Sequence, residues 1–267
     1  MIDTGLSGKV ALITGANHGI GAATAKALAS EEVKVAVHYL AEDATAEVAS
    51  DHQNLHVIAG KSTADAVVNQ IMAAGGQAII VEGDLSDPAT IPALFDKVED
   101  AFGQVDILVN NAAHCEAPDT ILQTSAGSLD RTFAVNVRAS VLLIAEFARR
   151  HKAQGRAWGR VVNLSTDAAQ RFVGQIAYGA SKATMEAFTR SLAFELGPLG
   201  ITVNTVAPGP TQTGYITPDL EERLLPDIPL RRIGQPEDIA DAIVFLASEQ
   251  ARWLTGQVIK VSGGHEL

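Results

Sequence analysis

Tyr178 and Lys182 stand four residues apart in Tyr178-Gly-Ala-Ser-Lys182, at the head of a long stretch with helical spacing. Residues at i and i+4 share a helix face, so the phenol and the ammonium become neighbours. A phenol in isolation titrates at about pH 10. A fixed positive charge beside it favours the phenolate and draws the titration towards neutrality. Such a tyrosine delivers a proton to a carbonyl oxygen as hydride arrives, or removes one from an alcohol in the reverse direction. Alone, the pair is a common helix-surface arrangement. Upstream, Val161-Val-Asn-Leu-Ser165 reads as a buried strand ending in a hydroxyl, where the carboxyl ends of parallel strands meet a ligand crevice. Ser165 there either hydrogen-bonds a substrate oxygen or caps a turn.

Hydride chemistry needs a carrier, and Thr14-Gly15-Ala16-Asn17-His18-Gly19-Ile20-Gly21 has the form of a carrier site. It follows an apolar strand and leads directly into helical spacing. Glycines there permit a tight turn and let backbone N–H groups and a helix N-terminus approach a pyrophosphate. The end of the second strand, His38-Tyr39-Leu40, should face the adenosine ribose. It carries neither the acid that binds a 2′-hydroxyl nor an arginine for a 2′-phosphate. Glu42 and Asp43 fall beyond the strand, on a solvated loop. With no carboxylate to repel a phosphate, and with Asn17 and His18 able to donate hydrogen bonds to it, the pattern leans slightly towards NADP(H) over NAD(H).

The elements that must position these residues follow from periodicity. Short apolar runs at Val10–Thr14, Val33–Tyr39, Ala78–Glu82, Ile107–Asn110, Val161–Ser165, Thr202–Ala207 and Val258–Val261 predict seven buried strands. Helical spacing covers Ile20–Glu31, Ala64–Ala74, Pro88–Phe102, Ser128–Arg149, Ala177–Leu196 and Glu237–Ala247. Alternation of strand and helix implies right-handed crossovers and a single-domain α/β fold with a doubly wound parallel sheet. No linker or repeat divides the chain. A polar segment, 41–63, is longer than an ordinary strand-to-helix loop and predicts a surface excursion. Pro218, Pro226 and Pro229, within 211–234, suit a mobile lid over a cleft.

Composition agrees. Apolar residues make up 47 % of the 267 and aromatics only 5 %, as in covered parallel sheets built from small aliphatic side chains. A formal charge of −11 without a basic run argues against nucleic acid and against an anionic membrane surface. Cys115 is the single cysteine, so neither an internal disulfide nor a cysteine-based zinc site can form, and a reducing cytoplasm fits. Neither a signal sequence nor a transmembrane run of about 18 apolar residues shows.

Taken together, the motifs resemble those of the short-chain dehydrogenase/reductase family over essentially the whole length. Besides the glycine turn they include Asp84 after the third strand, Asn110-Asn111-Ala112-Ala113 after the fourth, Asn136 on the next helix, and Ser165 thirteen residues before Tyr178. Pro208-Gly209-Pro210-Thr211-Gln212-Thr213 and the tail Gly256-Gln-Val-Ile-Lys-Val-Ser-Gly-Gly264 complete the set. The resemblance implies a seven-stranded Rossmann sheet, a homotetramer, and hydride transfer between NAD(P)(H) and a carbonyl or alcohol. It implies that Tyr178 is the general acid or base and that Lys182 binds the nicotinamide ribose and lowers the tyrosine pKa. Ser165 would orient the substrate oxygen, and Asn136 would hold a water joining Lys182 to solvent. By the same resemblance Gly15, Asn17, His18, Gly19, Ile20 and Gly21 would cradle the pyrophosphate, and Tyr39 and Leu40 would flank the adenosine ribose. Asp84 and Leu85 would lie by the adenine, Asn111, Ala112 and Ala113 beneath the ribose, and Pro208, Gly209, Thr211 and Thr213 around the nicotinamide. Two departures stand out: Ala113 replaces the family's glycine, so that its loop is expected to take a slightly different path, and His18 replaces an arginine common in NADP-using relatives.

Other residues read as structure. His114 and Cys115 border the expected substrate space, but a loop imidazole and a buried thiol are more often structural. Asp51, His52 and His56 form a polar loop cluster, and no metal is expected there. Asp219-Leu-Glu-Glu-Arg223 has the polar face of a short lid helix. The pattern is close to 3-oxoacyl-thioester reductases and to sugar or polyol dehydrogenases. A dinucleotide-binding sensor or scaffold without turnover is the alternative of another class, since fold alone does not prove chemistry. An epimerase or dehydratase is a third, and it lacks its usual longer C-terminal substrate region here.

Overall fold

The computed structural model describes residues 3–41, 53–54, 60–171 and 173–266. Strand β1 (Val10–Ile13) is buried at every position and sorts its side chains by alternation. Ala11 and Ile13 enter one apolar cluster with Leu28, Val35 and Ile243, while Val10 and Leu12 enter a second with Phe95, Leu143 and Phe147. A strand that feeds both clusters must have helices on both faces. Around it lie β2 (Lys34–Tyr39), β3 (Gln77–Glu82), β4 (Ile107–Asn110), β5 (Gly159–Leu164), β6 (Ile201–Pro208) and β7 (Val258–Val261).

All pairings in this sheet are parallel, in the order β3-β2-β1-β4-β5-β6-β7. The direction of winding reverses between β1 and β4, and a crevice opens beyond the carboxyl ends of the strands there. The helices are α1 (Gly19–Ser30), α2 (Lys61–Ala73), α3 (Thr90–Phe102), α4 (Ala126–Phe133), α5 (Ser140–Ala153), α6 (Ile176–Leu196), α7 (Pro218–Leu224) and α8 (Pro236–Ala247). The single-domain Rossmann architecture expected from alternation is the one observed.

Three expectations need adjustment. The helix expected over Ser128–Arg149 is α4 and α5 joined by a six-residue π-helical stretch, Ala134–Ala139. Such wide turns place a side chain where a regular helix would not, and here the residue is Asn136. Helix α2 starts at Lys61, inside the 41–63 excursion. Of that excursion, Gln53–Asn54 pair antiparallel with Glu116–Ala117 after β4; residues 42–52 and 55–59, with Glu42, Asp43, Asp51, His52 and His56, lie outside the described residues. The segment 211–234 carries α7, capped by the Thr217 hydroxyl, and gathers Ile216, Ile228 and Ile233 into a small apolar cluster of its own.

Phe147 on α5 is 1 % exposed and packs beside the His151 ring at 5.9 Å, under β5. Phe147→Ala should therefore lower the unfolding free energy by about 3–5 kcal/mol, read from the urea midpoint at unchanged slope. A loss within about 1 kcal/mol would mean that the layer collapses around the gap.

Candidate active site

The glycine turn is held from beneath by the neighbouring strands. Gly15 and Gly19 have φ of 59° and 52°, the left-handed region in which a side chain is strained. At Gly21 a Cβ would sit 2.4 Å from the Gly15 carbonyl oxygen and 2.6 Å from Asn111 Nδ2. Thr14 Oγ1 accepts from the backbone N–H of Asn111 and Ala112, each at 3.0 Å, and Asn111 Nδ2 donates to the Thr14 and Gly15 carbonyls at 2.9 Å. Ala113 has no positive φ, so its methyl group carries no left-handed strain.

His38 locks the turn from β2. Its Nδ1 accepts from the Gly15 N–H at 3.1 Å and its Nε2 donates to the Gly83 carbonyl at 3.0 Å. Burial pushes this imidazole down to about 4, so it stays neutral and structural. Tyr39, expected at the ribose, points elsewhere: it is buried, its hydroxyl donates to Glu82 at 2.6 Å, and burial with the Glu82 contact pushes it up to about 12. Strand alternation explains the correction, because His38 and Leu40 reach the cleft wall while Tyr39 turns to the opposite side.

Gly15, Asn17, His18, Gly19, Ile20, Leu40, Asp84, Leu85, Asn111, Ala112, Ala113, Tyr178, Lys182, Pro208, Gly209, Thr211 and Thr213 all line one cleft. Gly21 does not line it and acts instead as the space that lets Gly15 approach. His18 Nδ1 is buried in that wall with no hydrogen-bond partner, and burial lowers its pKa. An unpartnered polar atom at a helix start, beside glycine backbone, suits an anionic dinucleotide. Asn17 Nδ2 donates to Thr63 at 3.2 Å, tying the turn to α2.

Beyond the turn the cleft reaches α6. Lys182 is 3 % exposed, its Nζ donates to the Leu164 carbonyl at 2.8 Å, and it lies 5.6 Å from the Tyr178 ring centre. Burial pushes Lys182 down to about 8. The Tyr178 phenol is driven well above its ordinary value, chiefly by burial. The lowering expected from Lys182 is not among the effects that act on this phenol. Cys115 is pushed up to about 12, mainly by burial, and is a thiol.

Ser165 and Thr166 both line the cleft, but the Ser165 hydroxyl donates to Glu186 at 2.7 Å. Asn136 lies behind the wall. Its Oδ1 accepts from the His114 N–H at 2.7 Å, and its Nδ2 donates to the His114 carbonyl at 3.0 Å and to Ser181 Oγ at 2.9 Å. Ser181 Oγ in turn donates to the Tyr178 carbonyl at 2.6 Å. Asp119 belongs to no motif and was not anticipated. This buried carboxylate accepts from the N–H groups of Ala177 and Tyr178, each at 3.0 Å, and caps α6 from 58 and 59 residues away. Only the folded chain reveals such a contact; a local Ser, Thr or Asp at the cap would have signalled it, and Gln175 makes no side-chain cap.

Asp119→Ala should lower turnover about tenfold or more by loosening the turn that carries Tyr178, with dinucleotide affinity unchanged. Asp119→Asn, which keeps one acceptor oxygen, should recover most of the loss. Equal kinetics for Asp119→Ala and the parent would remove Asp119 from the site.

Two family descriptions match: enoyl-(acyl carrier protein) reductase over residues 53–266 and short chain dehydrogenase over 9–61. The chain is 39 % identical over 259 residues to an uncharacterized oxidoreductase, YjdA, of Bacillus subtilis (strain 168), covering 96 % of each chain. It is 36 % identical over 268 residues to an NADPH-dependent aldehyde reductase-like chloroplastic protein of Arabidopsis thaliana, covering 97 % of this chain and 95 % of that one. Among solved structures, a short chain dehydrogenase from Burkholderia cenocepacia J2315 in complex with NADP superposes with a TM-score of 0.83 at 34 % identity, over 97 % of this chain and 98 % of that one. The chain belongs to the short-chain dehydrogenase/reductase family and is an NAD(P)-dependent oxidoreductase of carbonyl or alcohol groups.

Proposed function

We propose that this enzyme is an NADPH-dependent reductase of small carbonyl compounds. The observation that carries the reading is Tyr178, which lines the cleft with its ring centre 5.6 Å from the ammonium of the buried Lys182. A phenol so placed can give its proton to an oxygen that gains charge as hydride arrives, and the reductase name of the Arabidopsis relative favours that direction. The nicotinamide supplies the hydride when bound. Tyr178 gives its proton to the nascent alkoxide. Lys182 holds the nicotinamide ribose, and Asn136 fixes the backbone around the pair.

The substrate oxygen is oriented by Ser165, which lies on the cleft wall thirteen residues before Tyr178. In the protein alone its hydroxyl donates to Glu186 at 2.7 Å, and a hydroxyl rotor can turn that proton to a bound carbonyl. Preference for NADP(H) over NAD(H) is supported by the unpartnered His18 Nδ1. The NADPH dependence of the Arabidopsis relative and the NADP bound to the Burkholderia structure support it too. The segment 211–234, with Thr211, Thr213 and Tyr215 on the cleft wall, serves as the substrate lid. Phe188 and Phe194 on α6 are 38 % and 87 % exposed, apolar surface suited to the homotetramer. Cys115, a free buried thiol, fits a cytoplasmic enzyme.

Two measurements test the reading. Ser165→Ala should reduce kcat about 10²–10³-fold, the scale for losing one hydrogen bond to a developing oxyanion. Turnover near the parent value would take the role from Ser165. Carbonyl reduction should be sustained below pH about 8, where Lys182 is charged, and fall as the pH rises through that value. A rate that climbs through the same range would assign the tyrosine to alcohol oxidation.

A further inference from the structure

Beside the reacting end of the cleft stands an imidazole that the chemistry above does not use. His114 lines the cleft. Its neighbour Cys115 lines the same cleft, together with Tyr178 and Lys182. The backbone of His114 is clamped from both sides by Asn136. Its side chain is clamped as well: Nε2 lies 2.7 Å from Glu116 Oε1. Glu116 has a side-chain exposure of 1 % and also takes a two-pronged contact from Arg131, at 2.7 and 3.1 Å.

A carboxylate so placed is ionised, and a lone pair facing it would be repelled, so Nε2 carries the proton. Nδ1 is then an acceptor in the neutral ring, and it makes no hydrogen bond among the described residues. The ion pair between Glu116 and Arg131 is complete without an imidazole. Holding His114 rigid at the cleft surface therefore serves the cleft. Around it the wall offers the Cys115 thiol, Val135 and Leu164.

Resting on the reductase reading, we propose that His114 is a specificity-determining residue that accepts a hydrogen bond from a hydroxyl carried next to the reacting carbonyl. The preferred substrates are then hydroxylated aldehydes and ketones rather than their plain counterparts. A site that hydrogen-bonds a substrate hydroxyl discriminates against an analogue lacking it, because the acceptor, shielded from water by the bound analogue, is left unpaired.

The test compares 3-hydroxybutan-2-one with butan-2-one as substrates for NADPH oxidation, in the parent enzyme and in His114→Leu and His114→Gln. The parent should favour the hydroxylated ketone by about tenfold or more in kcat/KM. His114→Leu should bring that ratio close to one, with the loss falling on the hydroxylated partner, and His114→Gln, which keeps an acceptor, should restore part of it. A parent ratio near one, a ratio unchanged in a folded His114→Leu, or a preference for 2-oxobutyrate over both ketones overturns the proposal. Failure of the parent to reduce either ketone while binding NADPH counts instead against the reductase reading.

Discussion

A lysine ammonium inside a protein is costly unless something holds it, and the reacting end of this molecule is organised around meeting that cost. Lys182 is nearly inaccessible, and burial has drawn its pKa to about 8, yet it remains charged at neutral pH. The Leu164 carbonyl at the end of β5 accepts its hydrogen bond. That contact sets the approach of α6 to the sheet, and therefore where Tyr178 stands. The Asp119 cap fixes the first turn of the helix, and Asn136 braces it through Ser181. The π-helical stretch that joins α4 to α5 is the local distortion that brings Asn136 inward.

The two ends of the cleft are built differently. At the dinucleotide turn the restraints run mostly through backbone groups and through Thr14, Asn111 and the neutral His38, none of which bears charge. A frame of this kind presents N–H groups to an anion with little reorganisation. At the reacting end the restraints run through ionisable side chains, with Asp119, Asp167, Glu116 and Lys182 all buried. Charge there is paired or hydrogen-bonded. His265 meets Asp167 at 2.8 Å, and Arg131 meets Glu116 at 2.7 Å, holding that carboxyl at about 2 against a burial effect that alone would raise it.

How much of this was legible depended on sequence separation. Strand and helix identities, the glycine turn and the shared face of Tyr178 and Lys182 are local patterns, and the structure carries all of them. The place of Tyr39 turned on a single residue, because alternation at a strand end decides which neighbour faces the cleft. Ser165 stands on the cleft wall, as its spacing to Tyr178 suggests, while its partner Glu186 lies 21 residues on and is not visible in any local pattern. The π-helical stretch was hidden because its residues keep ordinary helical composition, and only the contacts of Asn136 with His114 and Ser181 explain the wider turn. The pKa balance was hidden for another reason. Proximity to an ammonium is visible in a pattern of i and i+4, but the burial that opposes it is a property of the whole fold.

The account turns on proton delivery by Tyr178 in an enzyme served by NADPH. The most direct test is to follow oxidation of NADPH and of NADH in parallel, over a panel of ketones, aldehydes, diketones and quinones, with the parent enzyme and with Tyr178→Phe. The account predicts turnover of at least one carbonyl, faster with NADPH, and a loss of about 10²–10⁴-fold or more in Tyr178→Phe at nearly unchanged NADPH affinity. Persistent turnover by Tyr178→Phe at neutral pH, or tight binding of both cofactors with no turnover of any carbonyl by the parent, would contradict it.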